Sequence, residues 1–274
     1  MTVGAPFTVG DVAEAKAVEL VPGRVYSLGA AIALDRPVSW VPAAARGFHA
    51  SHAHLLLEGQ QALLYDTGVE AVGPAVLRQL AELLPAGSPL TVIVSRPEFD
   101  CSGSMAELAR RYRLSGGGLY DFTRVGLQNL RFDTPSGQLE PGVAIELAPP
   151  RRILCVPAPI RMLMTRWVYD EATRTLFTAD AFTHVTASTP ASARVLSDPA
   201  PPSADAVAEF LVAKFWWLRH LRSSHVGDAV EQLFARHEVE AIAPSYGAVI
   251  KGRPAVIAHV RAVVAAIRYF EGAT

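Results

Sequence analysis

The chain has little of what marks exported, membrane-spanning or nucleic-acid-binding proteins. Its two cysteines among 274 residues, Cys101 and Cys155, lie on different segments and form no paired-thiol motif. A disulfide framework is therefore not expected, and a reducing compartment fits. No run of about 18 apolar residues occurs. The N-terminal stretch MTVGAPFTVGDVAEAKAVEL lacks a basic segment followed by an apolar one. Neither a membrane span nor a standard export signal is expected. The formal net charge of -1 is spread without a basic block that could track a phosphate backbone, which argues against a nucleic-acid partner. No Ser/Gly tract or long charged run divides the chain. These absences leave a soluble, cytoplasmic protein and one domain over 1–274, with 1–20 as an N-terminal extension and 254–274 as a C-terminal helix. Half of the residues are apolar, enough for a large core.

Short apolar runs bounded by turn residues dominate the first two thirds. GRVYSLGAAIAL reads as a strand, and HAHLLLE and QALLYDTG, joined by GQ, as a hairpin. VGPAVLRQLAELL has helical spacing, and LTVIVS is a strand apolar on both faces. SMAELARRY is a helix with Ser104 placed to cap it. The stretch LRFDTPSGQLEPGVAIELAPPRRILCVPAP gives three short strands, and RWVYDEATRTLFTAD a further hairpin turning at DEAT. A long helix is expected from Ala204 to His220, another across VGDAVEQLFARH, a strand at VEAIAPS, and a terminal helix begun by Pro254. Strand groups separated by helices imply an α/β sandwich.

Four separated segments carry a family likeness. LLYDTG ends a strand at Asp66; SRPEFDCSGS runs from a strand through a turn into a helix; VPAPIRMLMTRWVYDEATRTLFTADAF and IAPSYGAVI follow in order. Together these resemble the metallo-β-lactamase fold, specifically its flavodiiron branch. The resemblance implies a metallo-β-lactamase-like αβ/βα sandwich of two mixed β-sheets flanked by helices. In that branch four His, one Glu and two Asp hold two irons, and an appended flavodoxin-like domain supplies electrons for oxygen or nitric oxide reduction. By the resemblance, the Glu falls on Glu98, the non-bridging Asp on Asp100 and the bridging Asp on Asp180. The four histidine positions fall on Arg96, Cys101, Arg161 and Tyr246.

A guanidinium only donates hydrogen bonds and stays protonated, so Arg96 and Arg161 cannot ligate a cation. The expectation is a salt-bridge cluster of Arg96, Arg161, Glu98, Asp100 and Asp180 in place of the diiron centre, since buried carboxylates without metal need cationic partners. No metal and no cofactor are expected. If one ion binds, Asp100, Cys101, Asp180 and Tyr246 are the donors. His52 and His54 in FHASHAH share one strand face and are expected to line the pocket or lie at the surface, and so join Arg96, Arg161 and Asp180 as candidate binding residues. Glu98, Asp100, Cys101 and Tyr246 are the candidates for acid-base or nucleophilic chemistry. His184 faces either pocket or surface, and His220 and His225 flank a helix end.

Three readings follow. The pocket binds an anionic small molecule on its arginines; or the chain is a pseudoenzyme that acts by association, as a homodimer or with a ligand-complete relative; or it is a mononuclear metalloenzyme or oxygen or nitric oxide sensor. Because the flavin domain is not expected after the fold is complete, oxygen or nitric oxide reduction by this chain alone is not expected.

Overall fold

Strands apolar on both faces must be covered on both sides, and here that requirement is met by stacking two sheets and laying helices on each outer face. The computed structural model describes residues 9–10, 15–35, 37–116, 139–196, 200–221 and 225–272. Its strands are β1 (Val9–Gly10), β2 (Val18–Val21), β3 (Val25–Ala33), β4 (Phe48–Glu58), β5 (Gln61–Tyr65), β6 (Pro89–Ile93), β7 (Arg113–Gly116), β8 (Ala144–Ala148), β9 (Arg151–Val156), β10 (Trp167–Asp170), β11 (Thr175–Ala179), β12 (Val195–Leu196), β13 (Ala241–Pro244) and β14 (Val249–Lys251). The helices are α1 (Gly73–Leu83), α2 (Phe99–Ser102), α3 (Met105–Arg111), α4 (Ala204–Lys214), α5 (His225–Arg236) and α6 (Arg253–Gly272).

The first sheet has the order β1-β3-β4-β5-β6-β7 with β2 also on β3, and the second runs β12-β14-β13-β11-β10-β9-β8. Both are mixed: β5 pairs β6 in parallel whereas β4 pairs β5 antiparallel, and β11 pairs β13 in parallel whereas β10 pairs β11 antiparallel. Alternation along the strands divides the core. Leu56, Leu63 and Ile93 meet Ile153, Val168 and Phe177 between the sheets, while Leu55, Leu64 and Val92 face outward to α1 and α3. On the opposite face of the second sheet, Leu176 and Ile242 are covered by α4, α5 and α6. The result is the expected αβ/βα sandwich. No helix among the described residues is long and apolar enough to cross a membrane.

Several elements differ from expectation. The helix expected over 204–220 breaks at Phe215 (φ -110, ψ 62) into α4 and a 3-10 turn over Trp216–His220. This leaves Lys214 at the C-terminal end of α4. Ser104 precedes α3 without a side-chain cap, and its backbone N–H donates to Thr67 Oγ1 at 3.1 Å. The short α2 was hidden in a turn sequence. Of the three strands expected over 130–159, two are β8 and β9, and LRFDT lies outside the described residues.

Two glycines let the layers close. A Cβ on Gly29 would sit 2.2 Å from the Ser51 carbonyl oxygen on the neighbouring strand, and its φ of +116 suits glycine alone. A Cβ on Gly103 would lie 2.3 Å from the Glu70 backbone nitrogen, so the α2–α3 junction can press against the turn that follows β5.

Candidate functional site

The turn after β5 organises the site. Asp66 takes a left-handed φ of 58, which a short polar side chain tolerates, and its carboxylate reaches in two directions. Oδ1 accepts from the Ser95 backbone N–H at 2.6 Å, and Oδ2 accepts from the Ser245 hydroxyl. Asp66 thus joins the loop after β6 to the loop after β13, across the two sheets. Thr67 adds a backbone bond to the Cys101 carbonyl at 2.8 Å. The residues flanking these anchors, Arg96, Asp100, Cys101 and Tyr246, are thereby brought to one end of the sandwich.

Asp180 arrives there from the end of β11. The preceding Ala179 has φ 51 and Phe182 has φ 63; positive φ at residues with a side chain costs about 1–3 kcal/mol each and clusters at functional sites. Arg96, 3 % exposed, holds Asp100 with Nη2 and Asp180 with Nη1. The second Asp180 oxygen lies 3.7 Å from Lys214 Nζ. Two carboxylates thus face two side-chain cations. Tyr246 closes the cluster, its hydroxyl donating to the Asp100 carbonyl at 2.9 Å and its ring 4.7 Å from that of Trp40. The Lys214 ammonium stands 5.8 Å from the centroids of both rings, within cation–π range.

Burial sets the protonation states. The Cys101 thiol is pushed well above the thiol range by burial and by the Asp66 carboxylate, so it is a neutral thiol that accepts a contact from Ser95 Oγ at 3.4 Å. Tyr246 is raised well above its ordinary value by burial, then by Cys101 and Asp100, and keeps its phenol proton. Lys214 is lowered to about 8, by burial first and by Arg96 second. Among the described residues no group of three or more His, Cys, Asp or Glu side chains converges as metal ligands would.

The expected cluster is corrected at three places. Arg161 is exposed, its Nη1 donating to the Ala158 carbonyl at 2.9 Å, and it contacts neither Asp100 nor Asp180. The reason is charge: Arg96 and Lys214 already balance the two aspartates, so a third cation would be buried without a partner. Glu98 is also exposed and makes no ion pair among the described residues, though its charge is felt at Lys214. His52 and His54 do not line the site. Both are fully buried on the inter-sheet face of β4, His52 between Ser27 Oγ (2.7 Å) and the Gly247 carbonyl (2.7 Å), His54 on the Pro244 carbonyl (2.9 Å). His184 is likewise interior, 2.9 Å from His259.

Lys214 is the residue that the sequence reading missed. A signal existed: Lys16, Lys214 and Lys251 are the only lysines among 25 Lys and Arg residues, and this one interrupts the apolar run FLVAKFWW.

Scans against family sequence models and against curated protein sequences return no match. Solved structures do match. The chain is similar to rubredoxin oxygen:oxidoreductase from Desulfovibrio gigas, with 17% identity, TM-score 0.69, and coverage of 93% of this chain and 62% of that one. It is also similar to the flavodiiron protein from Giardia intestinalis, with 14% identity, TM-score 0.63, and coverage of 92% and 59%. A third structure, of the peroxy diiron species of the chemotaxis sensor ODP, gives 17% identity, TM-score 0.62, and coverage of 94% and 95%. The chain spans about three fifths of the length of the first two. Two mixed sheets, the strand-end Asp66 turn and these structural neighbours together give this chain the metallo-β-lactamase-like fold of the flavodiiron proteins.

Proposed function

We propose that this chain is a metal-independent, non-redox version of the flavodiiron fold, in which side-chain cations take the place of the irons. The observation that carries the reading is Arg96 held between Asp100 and Asp180. A permanent guanidinium on both carboxylates repels a metal cation. The remaining donors fit an ion no better. Cys101 keeps its proton, and the Tyr246 hydroxyl is engaged as a donor to a backbone carbonyl. Oxygen and nitric oxide chemistry through a diiron centre is accordingly not assigned to this chain.

Between the two metal-free alternatives, the closed pairing favours a scaffold or subunit over capture of a free anion. Arg96 has both of its terminal nitrogens on the chain's own carboxylates, and Arg161 stands apart. Association with a second copy or with a ligand-complete relative is supported by apolar side chains left in water: Phe99 is 61 % exposed, and Met162, Leu163 and Met164 are consecutive and exposed.

The test is metal analysis of the protein purified after growth in iron- and zinc-supplemented medium, with unfolding followed before and after chelation. Substoichiometric metal and a midpoint indifferent to chelator are expected. A stoichiometric ion that chelation removes and that Asp180→Ala abolishes would overturn the reading.

A further inference from the structure

Two exposed segments rise beside the cluster, residues 97–99 leading into α2 and the loop over residues 161–164. They are tied at their bases, where the Arg166 backbone N–H donates to the Ser95 carbonyl at 2.8 Å. Most large apolar side chains of the described residues are interior, yet here Phe99 is 61 % exposed and Met162, Leu163 and Met164 are 41 %, 48 % and 68 % exposed. Four such side chains in water at one end of the sandwich form a patch of the kind that marks an interaction surface. The charges within these two segments are one of each sign, Glu98 and Arg161. Both are exposed. Neither forms an ion pair among the described residues, and Arg161 bonds to the Ala158 carbonyl of its own loop.

We propose that a second copy of this chain docks on this rim, with Glu98 of each copy facing Arg161 of the other across a two-fold axis. The balance of charge selects this occupant. A phosphate backbone or an anionic lipid surface needs an excess of cations, and a strongly charged protein partner needs an excess of the opposite sign. One negative and one positive group beside an apolar centre instead complement themselves after half a turn, and in such a contact each charged pair occurs twice. The apolar centre suits it as well, since aromatic residues and methionine are enriched in interface cores and the unbranched thioether chains adapt to the packing. The inference rests on the scaffold reading and deepens it, by fixing the partner as a second copy and the face as this rim. Six side chains are few beside the roughly 20–30 residues that each partner of a stable interface contributes. The dimer is therefore a weak, reversible one, and dilute protein is monomeric.

The test is sedimentation velocity of the intact protein from low micromolar to near-millimolar concentration, with metal content measured on the same samples. The unsubstituted chain is expected to pass from monomer to dimer over this range. Glu98→Arg and Arg161→Glu each set like charges against each other twice, and each is expected to weaken dimerisation at least about tenfold. An equimolar mixture of the two variants is expected to recover the dimer, because both pairs then join opposite charges. Leu163→Asp is expected to abolish it. All three side chains are exposed, so the variants keep the fold, which near-ultraviolet circular dichroism checks. A chain monomeric at every concentration, a dimer that the three variants leave intact, or weakened charge variants whose mixture stays monomeric would each overturn the inference. In metal-free protein these outcomes leave the metal-independent reading standing, whereas a stoichiometric metal overturns that reading whatever the sedimentation shows.

Discussion

Arg96 and Arg161 look equivalent in the sequence and have opposite roles in the structure. Arg96 is buried and bridges two carboxylates, so replacing it with methionine leaves Asp100 and Asp180 with only Lys214 for balance. Breaking a buried pair from one side costs about 3–5 kcal/mol. Urea unfolding at pH 7 is expected to show a loss of that size for Arg96→Met, whereas Arg161→Ala, which removes an exposed side chain bonded to a nearby carbonyl, is expected to stay within about 0.5 kcal/mol. A large loss for Arg161→Ala with none for Arg96→Met would mean that the cluster is wrongly described. The difference between these residues marks the limit of what sequence can say. Arg96, Asp100, Cys101, Asp180 and Tyr246 follow strand ends, and their convergence was legible through the family resemblance, which puts each of them at a position of one site. Arg161 lies in a loop, where the backbone can turn the side chain outward once the charge count is satisfied. Lys214 stood out only as a rare lysine in an apolar run; its place in the cluster was not legible, because it depends on α4 ending at Phe215 and nothing in FLVAKFWW announces a break.

At the scale of elements, β4 shows how one pattern serves two interpretations. The alternation in FHASHAH correctly puts His52 and His54 on the same face, and their rings lie 5.3 Å apart. Which face this is depends on where the second sheet packs. That sheet covers the histidines, and they bind the layers together: His52 joins Ser27 on β3 to the carbonyl of Gly247 before β14, and His54 reaches Pro244 on β13. An imidazole can make such a bridge because it presents polar atoms at both edges of a flat, otherwise apolar ring. His52→Leu keeps the apolar volume and strands the Ser27 hydroxyl and the Gly247 carbonyl, each at about 1–3 kcal/mol. Chemical denaturation of His52→Leu is expected to show a loss of at least about 2 kcal/mol, with metal content unchanged. An unchanged midpoint would show that the inter-sheet bonds contribute nothing net.

The whole molecule combines these interior groups into one acid profile. His49 and His54 are lowered to about 4, His184 to about 3, and His52 well below its ordinary value, in each case by burial first. Each binds a proton more readily unfolded, near 6.5, than folded. Their stabilisation is therefore complete above pH 6.5 and lost as pH falls through about 4, about 3 kcal/mol or more for each of the three with a stated value. Asp66 runs the other way. Burial raises its carboxyl from 3.8 to about 6, so the folded state holds this proton more tightly, and its contribution is present below about pH 4 and lost as pH rises through 6. Four histidines outweigh one carboxyl, and the protein is expected to lose stability steadily from pH 6.5 to 4, with Asp66 moderating the slope. Asp66→Asn removes the moderation while its amide can still accept from Ser95 and donate to Ser245. Measured by urea unfolding, this substitution is expected to cost about 2 kcal/mol more at pH 4.5 than at pH 7. An equal cost at both values would mean that the Asp66 carboxyl, for all its burial between the two sheets, titrates in the folded protein as it does in the open chain.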